Sequence, residues 1–346
     1  MILRHFSRVV FSQFPQKVNK ISSFRLLCLI ILIQTKMSSA KEFPKTLEGF
    51  GYGFNAEGKL RQIDKETGKV GDKPFNFQIS SSQTENQRHY EAIGDVITEE
   101  VYKLLEEKGL HRLYVPSDVP QDEASFIFCT TNKLENPKKL MILIHGSGVV
   151  RAGQWARSLI INDSLKAGTQ LPYIERAREL GYEVLVLNTN LNTYKKDGKI
   201  KEIKGSETPT DHAKTVWKQF VAPANPEAIS IVAHSYGGVV TVDLANHFDT
   251  DFREKVFAVG FTDSVHYHNV PKTLQEYGRN WVTSSEKLDT PLKKRTNDVP
   301  CFSAGHTKHE YTSWSCIDAL FKFFEERYEQ FSAAKGNSAK KQKTDL

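Results

Sequence analysis

The sequence predicts an α/β fold, a doubly wound and mostly parallel sheet with helices on both faces. Three observations predict it. From residue 110 onward, short apolar runs alternate with segments of helical period. From residue 139 onward those runs are continuously apolar, as strands covered on both faces are. Small, glycine-bearing turns directly follow two of them, at residues 145–148 and 233–238.

Composition supports a buried core and excludes several classes. Apolar residues make up 39% of the 346, aromatics 11% and charged residues 25%, too apolar for a wholly disordered chain. No run reaches 18 apolar residues, which excludes an ordinary multi-span membrane protein. Cys28, Cys129, Cys301 and Cys316 have no short metal spacing and form no dense disulfide framework. The net charge of +6 is misleading as a hint of nucleic acid. Residues 1–41 hold seven cations and no acid, so the rest of the chain is slightly acidic. A core without basic excess has no broad field for a phosphate backbone.

The chain divides into a leader (1–41), an extension (42–109), a main domain (110–332) and a tail (333–346). The leader has two readings. It is basic, acid-free and carries the apolar run Leu26–Ile33, as targeting segments do. Alternatively Met37 is the working start, and a polar cytoplasmic or nuclear protein follows. The tail, AAKGNSAKKQKTDL, reads as disordered and basic, with KKQK a weak nuclear-import signal. Its last four residues faintly resemble a retention tetrapeptide of the endoplasmic reticulum.

In the extension, Phe50–Phe54, the turn Asn55–Gly58 and Lys59–Ile63 read as a β-hairpin. Tyr90, Ile93, Ile97, Val101 and Leu104 then recur at helical spacing up to Gly109. Nothing in this region looks catalytic, and it is expected to pack on the main domain. Strands follow at 110–115, 125–130, 139–145, 182–188, 228–234, 255–263 and 299–305. Helices fit at about 172–180, 211–222, 237–248 and 312–331. The polar stretch 189–210 reads as a long surface excursion.

The chemistry concentrates at strand ends. Ala233-His234-Ser235-Tyr236-Gly237-Gly238 lies between an apolar strand and an apolar helix. A nucleophilic serine on such a turn needs small neighbours at −2 and +2, and Ala233 and Gly237 meet that need. Glycine is the usual residue at −2, so Ala233 is a mild departure. His145-Gly146-Ser147-Gly148 follows the strand KLMILI. In this arrangement the backbone N–H of Ser147, or next to it Gly148, and that of Tyr236 hold the oxyanion. Asp263 ends another strand, where it is either a cap or the carboxylate that orients an imidazole. His306 and His309 follow the strand ending at Gly305, and His309 is preferred because it precedes the final helix. The order Ser235, Asp263, His309 is that of α/β-hydrolases. If the site works as chemistry, the bond attacked is an ester, thioester or amide, and the sequence does not choose among them. No cofactor is implied. No metal is expected at His266, His268, His306 and His309, since no helix presents them with a carboxylate at ligand spacing. Arg151, Trp155 and Arg157 are either a ligand-reading rim or a solvated face with a packed Trp; Arg157 leans to the latter.

HGSGVVRAGQWARSLIIN (145–162), AHSYGG (233–238), FTDSVH (261–266), SAGHTKHEYTSW (303–314) and FPKTLEGFGYGFNAEGKLR (43–61) together resemble the argonaute-binding-protein-two family of cotranscriptional regulators, in its animal branch. The resemblance covers about residues 43–328. It implies an α/β-hydrolase-like domain with nucleophile Ser235, acid Asp263 and base His309. It also implies a nuclear role with Argonaute in small-RNA-directed heterochromatin formation, and with chromatin or splicing factors. Small RNA is then met only indirectly. Fold does not fix function, so two readings stand: a partner-binding scaffold and a working serine hydrolase. The nucleus, with some cytoplasm, is the expected compartment; the endoplasmic reticulum is the alternative if the leader is translated.

Overall fold

A computed structural model describes residues 42–266, 270–293 and 296–344. The leader's apolar run, Met37, His268 and the last two residues of the retention-like end lie outside the described residues. Lys45–Leu346 forms one compact unit; of the other, Met1–Pro44, only residues 42–44 are described.

The extension begins with an antiparallel sheet of β1 (Tyr52–Phe54), β2 (Leu60–Ile63) and β3 (Val70–Pro74). The Asn55 side chain accepts the amides of Glu57 and Lys59 at 3.1 and 2.9 Å, and Gly58 supplies φ +71°, so the expected turn forms. β3 escapes the sequence pattern because VGDKP is polar and exposed. The helix Gln83–Glu107 follows, capped by Ser82, whose hydroxyl accepts the Glu85 amide at 3.4 Å. Ile93, Ile97, Val101 and Leu105 form its buried stripe.

The main sheet has eight strands: β4 (His111–Val115), β5 (Ser125–Cys129), β6 (Leu140–Ile144), β7 (Glu183–Val186), β10 (Ile229–His234), β11 (Val256–Thr262), β12 (Gly278–Val282) and β13 (Cys301–Ser303). They lie in the order β4-β5-β7-β6-β10-β11-β12-β13. β5 runs antiparallel to both neighbours and all other pairs are parallel. This is the strand order of an α/β-hydrolase-like sheet. Successive residues of β6 serve opposite faces: Leu140, Ile142 and Ile144 enter one core, Met141 and Leu143 the other. The first core is closed by Val240, Leu244 and Trp217, the second by Phe257, Phe321 and Phe324. The register pairs Ala233 with Ile144 on one side and Phe261 on the other. The carboxyl ends of β6, β10 and β11 therefore finish side by side.

Besides β3, four features depart from the sequence reading. The sequence pattern does not mark β12, because GRNWV has only one strongly apolar pair; its Asn280 is buried and bonds the Ser264 backbone instead. Short helices at Asp249–Lys255 and Lys272–Tyr277 complete the crossovers. The excursion 189–210 contains a hairpin, β8 (Thr193–Lys196) and β9 (Lys199–Glu202), turned by Asp197 and Gly198 at φ +52° and +71°. Finally, the last helix spans Ile317–Thr344, through the segment expected to be disordered. Its Ala, Lys and Gln content favours helix, so a turn already seeded by buried Leu320 and Phe324 propagates outward. Among the described residues, no helix is long and apolar enough to cross a membrane.

Candidate active site

Every residue of β10 is buried, and Ser235 comes next with φ +53°, a left-handed conformation that a serine rarely adopts. The helix Gly237–His247 starts two residues later. A Cβ on Gly237 would come within 2.7 Å of the Ile144 carbonyl, and one on Gly238 within 2.2 Å of Ser264 Oγ. Sterics thus require glycine at both positions, as the sequence reading demanded at +2. The turn is pinned on both sides. The Ser235 amide donates to Thr262 O at 3.1 Å, and its carbonyl accepts from Ser264 Oγ at 2.9 Å.

Asp263 also has positive φ, +45°, and its amide donates to Trp281 O at 2.7 Å. One carboxylate oxygen accepts the Thr283 amide at 3.1 Å; the other accepts Nδ1–H of His309 at 2.7 Å. Burial alone would raise this carboxyl, but the His309 bond, the Thr283 amide and the His309 charge outweigh it and hold it below the ordinary range. The same bond raises His309, against the opposing effect of its own burial, with help from the charges of Asp263 and Glu310. With Nδ1 engaged, Nε2 is the ring nitrogen of His309 with no hydrogen bond among the described residues. Ser235 and His309 line one cavity of about 250 Å³; among the described residues no hydrogen bond joins them. His306 instead stacks on Tyr311, with ring centroids 4.5 Å apart.

His234 brings a second imidazole to this cavity. Its Nδ1 lies 2.9 Å from Thr262 O, a pure acceptor, so Nδ1 carries the proton. Thr262 Oγ1 and Ser313 Oγ lie at 3.1 and 3.2 Å from the same nitrogen. The ring sits 4.7 Å from that of His309. Burial, chiefly, and the charge of His309 push His234 down to about 3, so it stays neutral.

The loop after β6 carries Gly146, Ser147 and Gly148. A Cβ on Gly146 would come within 3.0 Å of Ser235 Cβ, and Gly148 has φ +100°. His145 is buried and donates Nδ1–H to Gly146 O at 2.8 Å; burial pushes it down to about 4. The Asn190 amide group then gathers three carbonyls of this loop, Gly146, Gly148 and Val150, at 3.0, 3.1 and 3.1 Å. Asn188 Oδ1 accepts the Ala152 amide at 3.0 Å. With its carbonyls turned toward Asn190, the loop leaves the N–H groups of Ser147 and Gly148 without an acceptor among the described residues, and the Tyr236 N–H likewise has none.

Several contributors were missed by sequence reasoning. Asn190 sits in the stretch read as a surface excursion; its N-x-N pattern directly after a strand was the available signal. Tyr90 of the extension lines the cavity, although nothing there looked catalytic. Arg157, read as a solvated face, is 7% exposed. The correction has a steric cause: Gly94 opens a slot in the helix Gln83–Glu107 that receives the Arg157 side chain. Trp155 is 2% exposed and packs edge-on against Tyr173, while Arg151 bonds the backbone of its own loop at Val150 O.

The sequence matches the Arb2 domain over residues 43–288. It is 41% identical to a mouse protein named "Cotranscriptional regulator ARB2A" over 352 residues, covering 85% of this chain and 83% of that protein. It is 40% identical to the Caenorhabditis elegans "FAM172 family protein homolog Y75B8A.31", covering 81% and 87%. Among solved structures, a histone deacetylase from Saccharomyces cerevisiae aligns with 69% of this chain and 98% of its own, at 13% identity and TM-score 0.46. An α/β serine hydrolase from Xanthomonas campestris aligns with 64% and 94%, at 10% identity and TM-score 0.38.

Proposed function

The chain belongs to the Arb2 domain family, and from that premise we propose a cotranscriptional regulator whose α/β-hydrolase scaffold retains a working serine nucleophile. The observation that carries the catalytic half is one arrangement: Ser235 at φ +53° sharing a cavity with His309, which Asp263 holds at 2.7 Å. In this reading Ser235 Oγ attacks an ester, thioester or amide carbonyl while His309 Nε2 takes its proton. Asp263 fixes the tautomer and steadies the imidazolium. The N–H groups of Ser147 and Tyr236, with Gly148 beside them, hold the oxyanion. His309 returns the proton to the leaving group, and water then releases the acyl group from Ser235.

The regulatory half follows the relatives' name as far as cotranscriptional regulation, and the motif resemblance of the sequence extends it. It includes nuclear action with an Argonaute protein in small-RNA-directed heterochromatin formation, and contact with chromatin or splicing factors. Small RNA is reached through those partners, since the chain outside its leader has no basic excess.

An alkyl fluorophosphonate probe and an Argonaute co-precipitation from nuclear extract test the two halves separately. Labelling of the wild type that disappears in Ser235→Ala is the expected result, with Argonaute recovered by both proteins. A folded wild type that is not labelled removes the enzyme. Failure to recover Argonaute with either protein removes the partner.

A further inference from the structure

Arg157 lines the same cavity as Ser235 and His309. Its side chain is 8% exposed, so a full positive charge is held out of water. The compensation it receives is partial. One terminal nitrogen donates to Val149 O at 3.0 Å and lies 3.5 Å from Asp95, whose own side chain is 81% exposed and thus mostly solvated. The buried Nε has no partner among the described residues. A buried cation held by one carbonyl and one mostly solvated carboxylate is incompletely compensated, and an anion in the cavity would complete the balance. Burial, only partly offset by Asp95, pushes the guanidinium down from its ordinary range.

The helix Gln83–Glu107 is built around this side chain. A Cβ at position 94 would come within 2.6 Å of an Arg157 terminal nitrogen and 2.7 Å of its Cδ. Glycine in a helix interior is unfavourable, and here it is what admits the cation to the cavity wall. Val149, Val150, Trp155 and Tyr90 line the same cavity with apolar surface, which strengthens a charge-assisted bond formed there.

We propose that Arg157 reads an anionic acyl group, so that the substrate carries a carboxylate a short aliphatic chain away from the carbonyl that Ser235 attacks. A monoanion fits better than a phosphate dianion for two reasons. The guanidinium is already partly engaged, and Glu310 brings a carboxylate to the same cavity. This inference rests on Ser235 being the nucleophile of the site, and its test separates the two.

The probes are 4-nitrophenyl hexanoate and mono-4-nitrophenyl adipate, which share a chain length and differ by the terminal carboxylate. Calorimetric titration uses Ser235→Ala, so that neither ester turns over. The adipate ester is expected to bind about ten- to a hundredfold more tightly. Adding Arg157→Gln abolishes that preference and leaves the hexanoate affinity within about threefold; Arg157→Lys restores part of it. Equal binding of the two esters, or binding of neither, overturns the proposal. If Arg157 only clamps the Val149 carbonyl, both esters weaken together, which also overturns it. Fluorophosphonate labelling of the wild type reports the nucleophile independently. A labelled Ser235 with no adipate preference leaves the hydrolase standing without the anion reader.

Discussion

Asp263 and His309 stand 46 residues apart in sequence and 2.7 Å apart in space, Asp263 directly after β11 and His309 at the start of the 3-10 turn His309–Tyr311 beyond β13. The end of β12 supplies the Thr283 amide to Asp263, and the turn after β13 presents His309. Asp263→Asn keeps the volume but loses the charge that selects the Nδ1–H tautomer. The rate of fluorophosphonate labelling at Ser235 is expected to fall on the order of 10³–10⁴. A fall of less than tenfold assigns Asp263 a structural role.

The pH dependence of that labelling follows from the same pair. In the proposed reading His309 is a base only when neutral, and Asp263 raises its pKa. Labelling therefore climbs through an inflection above the ordinary histidine value of 6.5, and Asp263→Asn moves the inflection down. For stability, the raised His309 contributes below the ordinary histidine value and loses that contribution as pH rises through its folded value. The depressed Asp263 contributes above the ordinary carboxylate range and loses it as pH falls through its folded value.

Three histidines work in the opposite sense to His309. His145, His212 and His234 are buried neutral, pushed by burial to about 4, 3 and 3. Unfolding frees them to bind protons once the pH is below 6.5, so stability falls with pH from there downward. At pH 5 each such histidine costs about 2 kcal/mol. His212 receives the Asn188 amide on Nε2 and donates to Ser206 Oγ. Urea midpoints are expected to drop between pH 7 and 5, and His212→Asn to flatten that slope. A midpoint independent of pH contradicts the assignment of neutral buried rings.

Asn190 shapes the loop without touching Ser235. Asn190→Ala removes the one donor that ties three loop carbonyls together; Gly146 O then keeps only His145 and Val150 O only Arg151, so the Ser147 and Gly148 amides are held less firmly. Labelling is expected to slow about 10- to 100-fold at nearly unchanged melting temperature. Equal rates for the variant and the wild type mean that the loop is held without it.

Gly237→Ala tests the elbow's sterics. The added methyl meets the Ile144 carbonyl at 2.7 Å, inside any allowed contact. A loss of about 1–3 kcal/mol in urea unfolding is expected, with slower labelling. A neutral substitution shows that strand β6 can recede from the helix.

The sequence by itself determined the local pieces. Continuous apolar runs fixed β6, β7, β10 and β11, because strands covered on both faces tolerate little else. Ala233, Gly237 and Gly238 around Ser235 declared a tight turn, because only small residues let strand and helix approach. Tertiary structure decided what those pieces meet. The N-x-N pattern after β7 marks Asn190 only as a polar residue at a strand end; nothing local shows that it holds a loop forty residues earlier, that Gly94 is the slot for Arg157, or that Tyr90 walls the cavity. Each of these acts through space across a sheet edge or a helix face, and periodicity reports which side of an element is buried but not what lies against it.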